Sequence, residues 1–117
     1  MNRVFKITRV SQVEQTFLYS AEIDALHPVF CGHFPQRPIV PGVCTMSMIK
    51  ECLADALSHS VRYDYIKECK FLSAISPSNH KTVEVSLTLK SIEDQMNVVA
   101  TVHAAGVTMM KLKATLL

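Results

Sequence analysis

The sequence predicts an α+β fold: a curved antiparallel sheet wrapped around one central buried helix. Three observations predict it. One apolar stretch, Val43 to Leu57, carries helical spacing. The segments after it alternate apolar and polar residues with period two. Turn signals separate those segments at short intervals, so the strands return antiparallel. With 117 residues, 49% of them apolar, the chain forms one domain, residues 1–117, with a real core.

Taken in order, Arg3 to Thr8 reads as a first short strand. Gln12 to Ile23 reads as a second extended segment, with Val13, Phe17 and Tyr19 as core contacts. Asp24 to Gly32 holds His27-Pro28 and Cys31-Gly32 and reads as irregular. In the helix, Val43, Met46, Ile49, Leu53 and Leu57 share helical spacing. Cys44, Met48, Cys52, Ala54 and Ala56 make most of its remaining surface apolar as well, which predicts burial on nearly every side. Its polar residues fall on one stripe, Ser47, Glu51 and Asp55, with Lys50 beside it. A solvated helix edge explains that stripe as well as a functional role does.

Past Ser58-His59-Ser60, Val61, Tyr63, Tyr65, Cys69 and Phe71 are expected on one side of a long strand. Arg62, Asp64, Glu68 and Lys70 take the other. Pro77-Ser78-Asn79-His80 marks a turn. Val83, Val85, Leu87 and Leu89 then alternate with polar neighbours. Glu93 to Asn97 makes the next turn. Val98 to Ala105 and Val107 to Leu116 are the last strands, broken at Gly106.

Composition excludes several classes. Net charge is +2 and charged residues are 19%, so no basic surface argues for nucleic acid. No apolar run reaches membrane-spanning length, and Met1 to Lys6 lacks a signal-peptide core; the expectation is a cytoplasmic protein. Cys31, Cys44, Cys52 and Cys69 form no CxxC pair, and His59, His80 and His103 fall at a helix end, a turn and a strand. Neither set suggests a metal site, and the thiols read as free and buried.

The chemistry concentrates in His33 to Val43. Pro35, Pro38 and Pro41 recur every third residue and favour a stiff, polyproline-like arm. Gly42 gives the backbone freedom where the helix begins. A histidine thus precedes a rigid arm that ends at a helix N-terminus, with its free N–H groups and partial positive charge. A base and an oxyanion site so placed suit proton abstraction beside a carbonyl.

The run Phe30-Cys31-Gly32-His33-Phe34-Pro35-Gln36-Arg37-Pro38-Ile39-Val40-Pro41-Gly42-Val43 closely resembles the signature of hot-dog-fold 3-hydroxyacyl-ACP dehydratases. There, Phe-x-Gly-His-Phe-Pro-x-x-Pro-x-x-Pro-Gly-Val leads into the central helix. Lys70-Phe71 to Leu87 also looks like the family, with Pro77-Ser78-Asn79 where the family has Pro-Gly-Asp. The resemblance covers residues 26–90 in detail and the final strands by pattern. It implies a homodimer or higher oligomer, and a tunnel between subunits for an acyl chain on phosphopantetheine. The substrate would arrive on acyl carrier protein or, second, coenzyme A. No metal or other cofactor is implied.

Carried over residue by residue, His33 matches the base that removes the α-proton. Gly42 matches the glycine whose N–H polarises the thioester. Phe34, Pro41, Val43 and Ser47 fall in the substrate-binding part of the motif. The family's helix carboxylate, which protonates the departing hydroxyl of the neighbouring subunit's substrate, sits five residues past that glycine. Here that position is Ser47, and a serine hydroxyl is not an equivalent acid.

Three accounts of the gap stand open. Glu51, one turn further along about 6 Å of helix axis, can reach back as a substitute acid. The chain can instead be an impaired, acyl-binding subunit, pairing with a complete hot-dog chain in a heterodimer. It can also hydrolyse acyl thioesters, with His33 as base. His27 and Arg37 read as loop residues, Cys31 as packing, and Arg62, Lys67 and Lys70 as ordinary surface.

Overall fold

A computed structural model describes residues 4–32 and 38–117, with Cys31 and Gly32 as backbone only. The predicted site residues His33 and Phe34 lie outside the described residues, as does Arg37. Six strands form one antiparallel sheet in the order β1-β2-β4-β5-β6-β3. The strands are β1 (Phe5–Val13), β2 (Thr16–Ile23), β3 (Tyr63–Phe71), β4 (Thr82–Ile92), β5 (Gln95–Ala104) and β6 (Val107–Leu116). A short helix α1 (Val29–Gly32) and the long helix α2 (Gly42–Leu57) separate β2 from β3.

The centre of the sheet follows the alternation. Val83, Val85 and Leu87 of β4, Val98 and Val102 of β5, and Leu112 of β6 point inward and are fully buried. Met48, Ile49, Cys52 and Leu53 of α2 close the core from the helix side. Burying a side chain of this size contributes about 1.5–3 kcal/mol, so this packing is the main source of stability. Two-residue loops join β4 to β5 and β5 to β6. Glu93, Asp94, Ala105 and Gly106 all take positive φ there, as tight hairpins whose twist matches the strands require.

Several expectations need correction, among them the turn placed at Glu93 to Asn97: it is Glu93-Asp94 alone, with Gln95 to Asn97 already in β5. Arg3 to Thr8 and Gln12 to Ile23 are not separate pieces with a gap: β1 runs to Val13 and turns at Glu14-Gln15 straight into β2. Glu14 adopts φ 54 without a glycine to signal it. Val13 consequently stands at the hairpin tip and is exposed, not core. Asp24 to Gly32 is not wholly irregular, since α1 closes it. Strand β3 does not keep one alternation. Register shifts between Tyr63 and Tyr65 and between Ile66 and Glu68 turn Tyr65 to the opposite side from Tyr63, where it is exposed. Nor is α2 buried all round: Thr45, Met48, Ile49, Cys52 and Leu53 form one buried stripe, and Val43 is 73% exposed.

The roll of α2 is fixed at both ends. Tyr63 Oη donates to the Met46 carbonyl at 3.0 Å. Further along, Asp55 Oδ2 accepts from Tyr19 Oη at 2.6 Å and from Arg9 Nε at 3.1 Å. Arg9 also bonds the Asp55 carbonyl at 2.9 Å and stacks over the Phe17 and Tyr19 rings. Asp55 is therefore a structural anchor between α2 and the first hairpin. The described residues contain no helix long and apolar enough to cross a membrane.

Candidate active site

Helix α2 begins without a side-chain cap. Pro41 occupies the N-cap position with φ −60 and ψ 142, and the first turn holds no acidic residue. Pro41 supplies only a carbonyl, which accepts from Cys44 N–H at 2.9 Å. No described residue accepts from the Gly42 amide, which is the first of the helix's orphan donors. The helix end thus keeps its partial positive charge uncompensated by any acidic side chain of its first turn. The approach to it is pinned by a Val40 N–H bond to the Ile75 carbonyl at 2.8 Å.

Gly42 is needed here for closeness and not for conformational freedom: its φ is not positive. A Cβ at this position would lie 2.8 Å from Cζ of Phe71 and 3.2 Å from Cε1. The aromatic ring therefore rests on the helix tip, and a larger residue at this position would push it aside. Beneath ring and tip opens a cavity of about 530 Å³, lined by Ile39, Val40, Ile75, Met109 and Met110 among others.

On the other flank of α2 lies a larger cleft of about 750 Å³. Val43, Ser47 and Glu51 line it, together with His27, Lys50 and Arg62. Ser47 is exposed and Glu51 half-buried. His27 Nδ1 accepts from Val29 N–H at 3.0 Å, so the neutral ring carries its proton on Nε2. Cys44, in the same cleft, has its thiol pushed up by burial, which keeps it protonated and weakly nucleophilic.

The structure thus divides the predicted residues. Val43, Ser47 and Glu51 share one cleft, Gly42 opens on the other cavity, and Pro41 caps the helix between them. Asp55 leaves the polar stripe for its anchor; hydrogen bonding from Tyr19 first, then Arg9, holds its carboxyl below the usual range. Sequence reasoning missed Phe71 as a site neighbour, because period-two counting assigned it only a side of a long strand. The available signal was the pairing of a helix-start glycine with an aromatic at a strand end.

The family model described as ApeI-like, ApeI dehydratase, matches residues 9–111. The chain belongs to the ApeI-like dehydratase family. Among curated relatives, the 3-hydroxyacyl-[acyl-carrier-protein] dehydratase FabZ of Latilactobacillus sakei is 31% identical over 77 residues, 60% of this chain and 54% of the relative. The FabZ of Staphylococcus carnosus is 29% identical over 91 residues, 70% of this chain and 63% of the relative. The chain spans about half the length of the first of these relatives. A chain of the dehydratase heterocomplex ApeI:P from Xenorhabdus doucetiae superposes with TM-score 0.79 at 19% identity, covering 99% of this chain and 98% of that one. An uncharacterized Erwinia carotovora protein superposes with TM-score 0.70 at 20% identity, covering 100% and 97%. The fold of this ApeI-like chain is accordingly the hot-dog fold.

Proposed function

We propose that this chain serves the dehydration of 3-hydroxyacyl thioesters, delivered on acyl carrier protein or coenzyme A, in fatty-acid or polyketide-type biosynthesis. The observation that carries the reading is the uncapped start of α2, where Gly42 lines a cavity, its amide has no acceptor among the described residues, and the first turn holds no acidic residue. Membership in a dehydratase family supports it. His33 takes the α-proton; the charge that moves onto the thioester oxygen is met by the Gly42 N–H; the β C–O bond breaks and the hydroxyl leaves as water with a proton from an acid. The product is the trans enoyl thioester.

Glu51 is the acid this chain can offer. Among the described residues, Gly42 and Glu51 line different cavities. That division agrees with what the resemblance implies, a site shared between two chains with the acid supplied by the neighbouring subunit. The partner is a second copy or a different hot-dog chain, and the heterocomplex among the structural neighbours supports the second choice.

The test is hydration of a crotonyl thioester, followed by loss of enoyl absorbance. Wild-type turnover that disappears in His33→Ala supports the reading. A drop of about 10²-fold or more in Glu51→Gln, with folding intact, identifies the acid. Turnover that appears only on mixing with a second hot-dog chain identifies a heterodimer. Tight binding of acyl-pantetheine without turnover in either arrangement replaces the lyase by an acyl-binding subunit.

A further inference from the structure

The geometry points to Phe71 as the residue that sets acyl-chain specificity, an inference that rests on the thioester reading above. Three observations meet at its ring. First, the ring touches the helix tip: the absent Gly42 Cβ would sit 2.8, 3.2 and 3.4 Å from three of its atoms. A group that bonds the Gly42 amide therefore lies near this ring. Second, Phe71 lines the second cavity together with Gly42, and so does Met110, its cross-strand partner. The cavity walls are largely aliphatic and thioether, and its 530 Å³ falls within the ~300–1,000 Å³ of small-molecule sites. That chemistry suits an alkyl tail and offers nothing to a charged one.

Third, the ring is placed to move. Phe71 ends β3, an edge strand with β6 as its only sheet neighbour among the described residues, and remains 54% exposed despite its contact with Gly42. Its outer face is open in the single chain. The ring therefore stands at the mouth between the thioester position and the aliphatic cavity. In the observed rotamer it restricts how much chain extends inward from the carbonyl. Phe71 is a positioning residue: it moves no proton and holds no charge.

The experiment compares kcat/KM for a decenoyl and a crotonyl thioester in the whole chain, with its partner present if one is required. Phe71→Ala should raise the decenoyl-to-crotonyl ratio by about 10-fold, and Phe71→Trp should lower it. Phe71→Leu, the gentler truncation, should move the ratio in the same direction as alanine if Phe71→Ala does not fold. An equal fall for both substrates overturns the proposal, because a purely structural ring would affect both alike. If the wild-type chain turns over neither substrate, the lyase reading falls, and binding decides the cavity. The sequence contains no tryptophan, so Phe71→Trp introduces a single reporter. An emission change with decanoyl-pantetheine but not acetyl-pantetheine supports Phe71 at the cavity mouth; no change with either overturns it.

Discussion

Replacing Tyr19 by phenylalanine should loosen the grip of the first hairpin on α2 by a predictable amount. The substitution removes one hydroxyl and leaves the buried ring in place. The loss is a 2.6 Å bond to a charged carboxylate. Bonds to charged groups contribute about 1.5–3 kcal/mol. Two features reduce that here. The Asp55 side chain is 49% exposed, so water can replace the phenol, and Arg9 still holds the same oxygen. The expected loss is therefore about 1 kcal/mol, or about 4 °C in Tm for a domain of this size. The pH dependence separates this cause from a packing defect. Burial first, and the Asp55 hydrogen bond second, push the Tyr19 phenol up to about 12, against about 10 in the unfolded chain. Its folded state holds the proton more tightly, so its contribution is complete below pH ~10 and disappears as pH rises to ~12. Urea unfolding followed by far-ultraviolet circular dichroism should show wild type losing stability across that window faster than Tyr19→Phe. Tyr63, also pushed up by burial, titrates in both proteins and cancels in the difference. Equal stability at neutral pH together with parallel alkaline falls would refute the anchor.

Two further outcomes are expected from the same geometry. Ser47→Glu restores a carboxylate to the helix position where the dehydratase signature has one, and should rescue crotonyl hydration in Glu51→Gln by about 10²-fold; a double variant as slow as Glu51→Gln would mean that position 47 does not face the reacting carbon. Leu53→Ala empties a fully buried position under α2 and should cost about 3 kcal/mol, read from the urea midpoint at constant m-value; a loss under ~1 kcal/mol would mean the helix is not seated on the sheet at that point.

The legible parts of the fold were those in which one physical constraint acts on consecutive residues. Strands β4 to β6 have neighbours on both sides and a buried face, so Val83, Val85, Leu87 and Leu89 must alternate, and they do. Helix α2 was legible at its start, because Pro41-Gly42 breaks one backbone regime and opens another. The edge strand β3 was not. With one pairing partner, two register shifts are tolerated, and each reverses the face of the residues beyond it. The turn at Glu14-Gln15 was hidden for a related reason: hairpin closure imposed the positive φ on Glu14, and no residue preference announced it. Counting apolar residues on α2 overstated its burial, since composition records hydrophobicity but not which neighbour is present to cover it.

The site divides along the same line. A contiguous motif can name Gly42 and point to Ser47 as a departure, because both are read from local spacing. The ring on the helix tip comes from a strand end distant in sequence, and the Asp55 anchor from the opposite hairpin. Both are consequences of chain folding, and both bear on chemistry. One shapes the space beside the Gly42 amide; the other fixes the roll of the helix that carries Glu51 into its cleft. A reading confined to the motif would assign the polar stripe Ser47, Glu51 and Asp55 a single role, whereas the fold gives its last member to stability and leaves the first two facing the cleft.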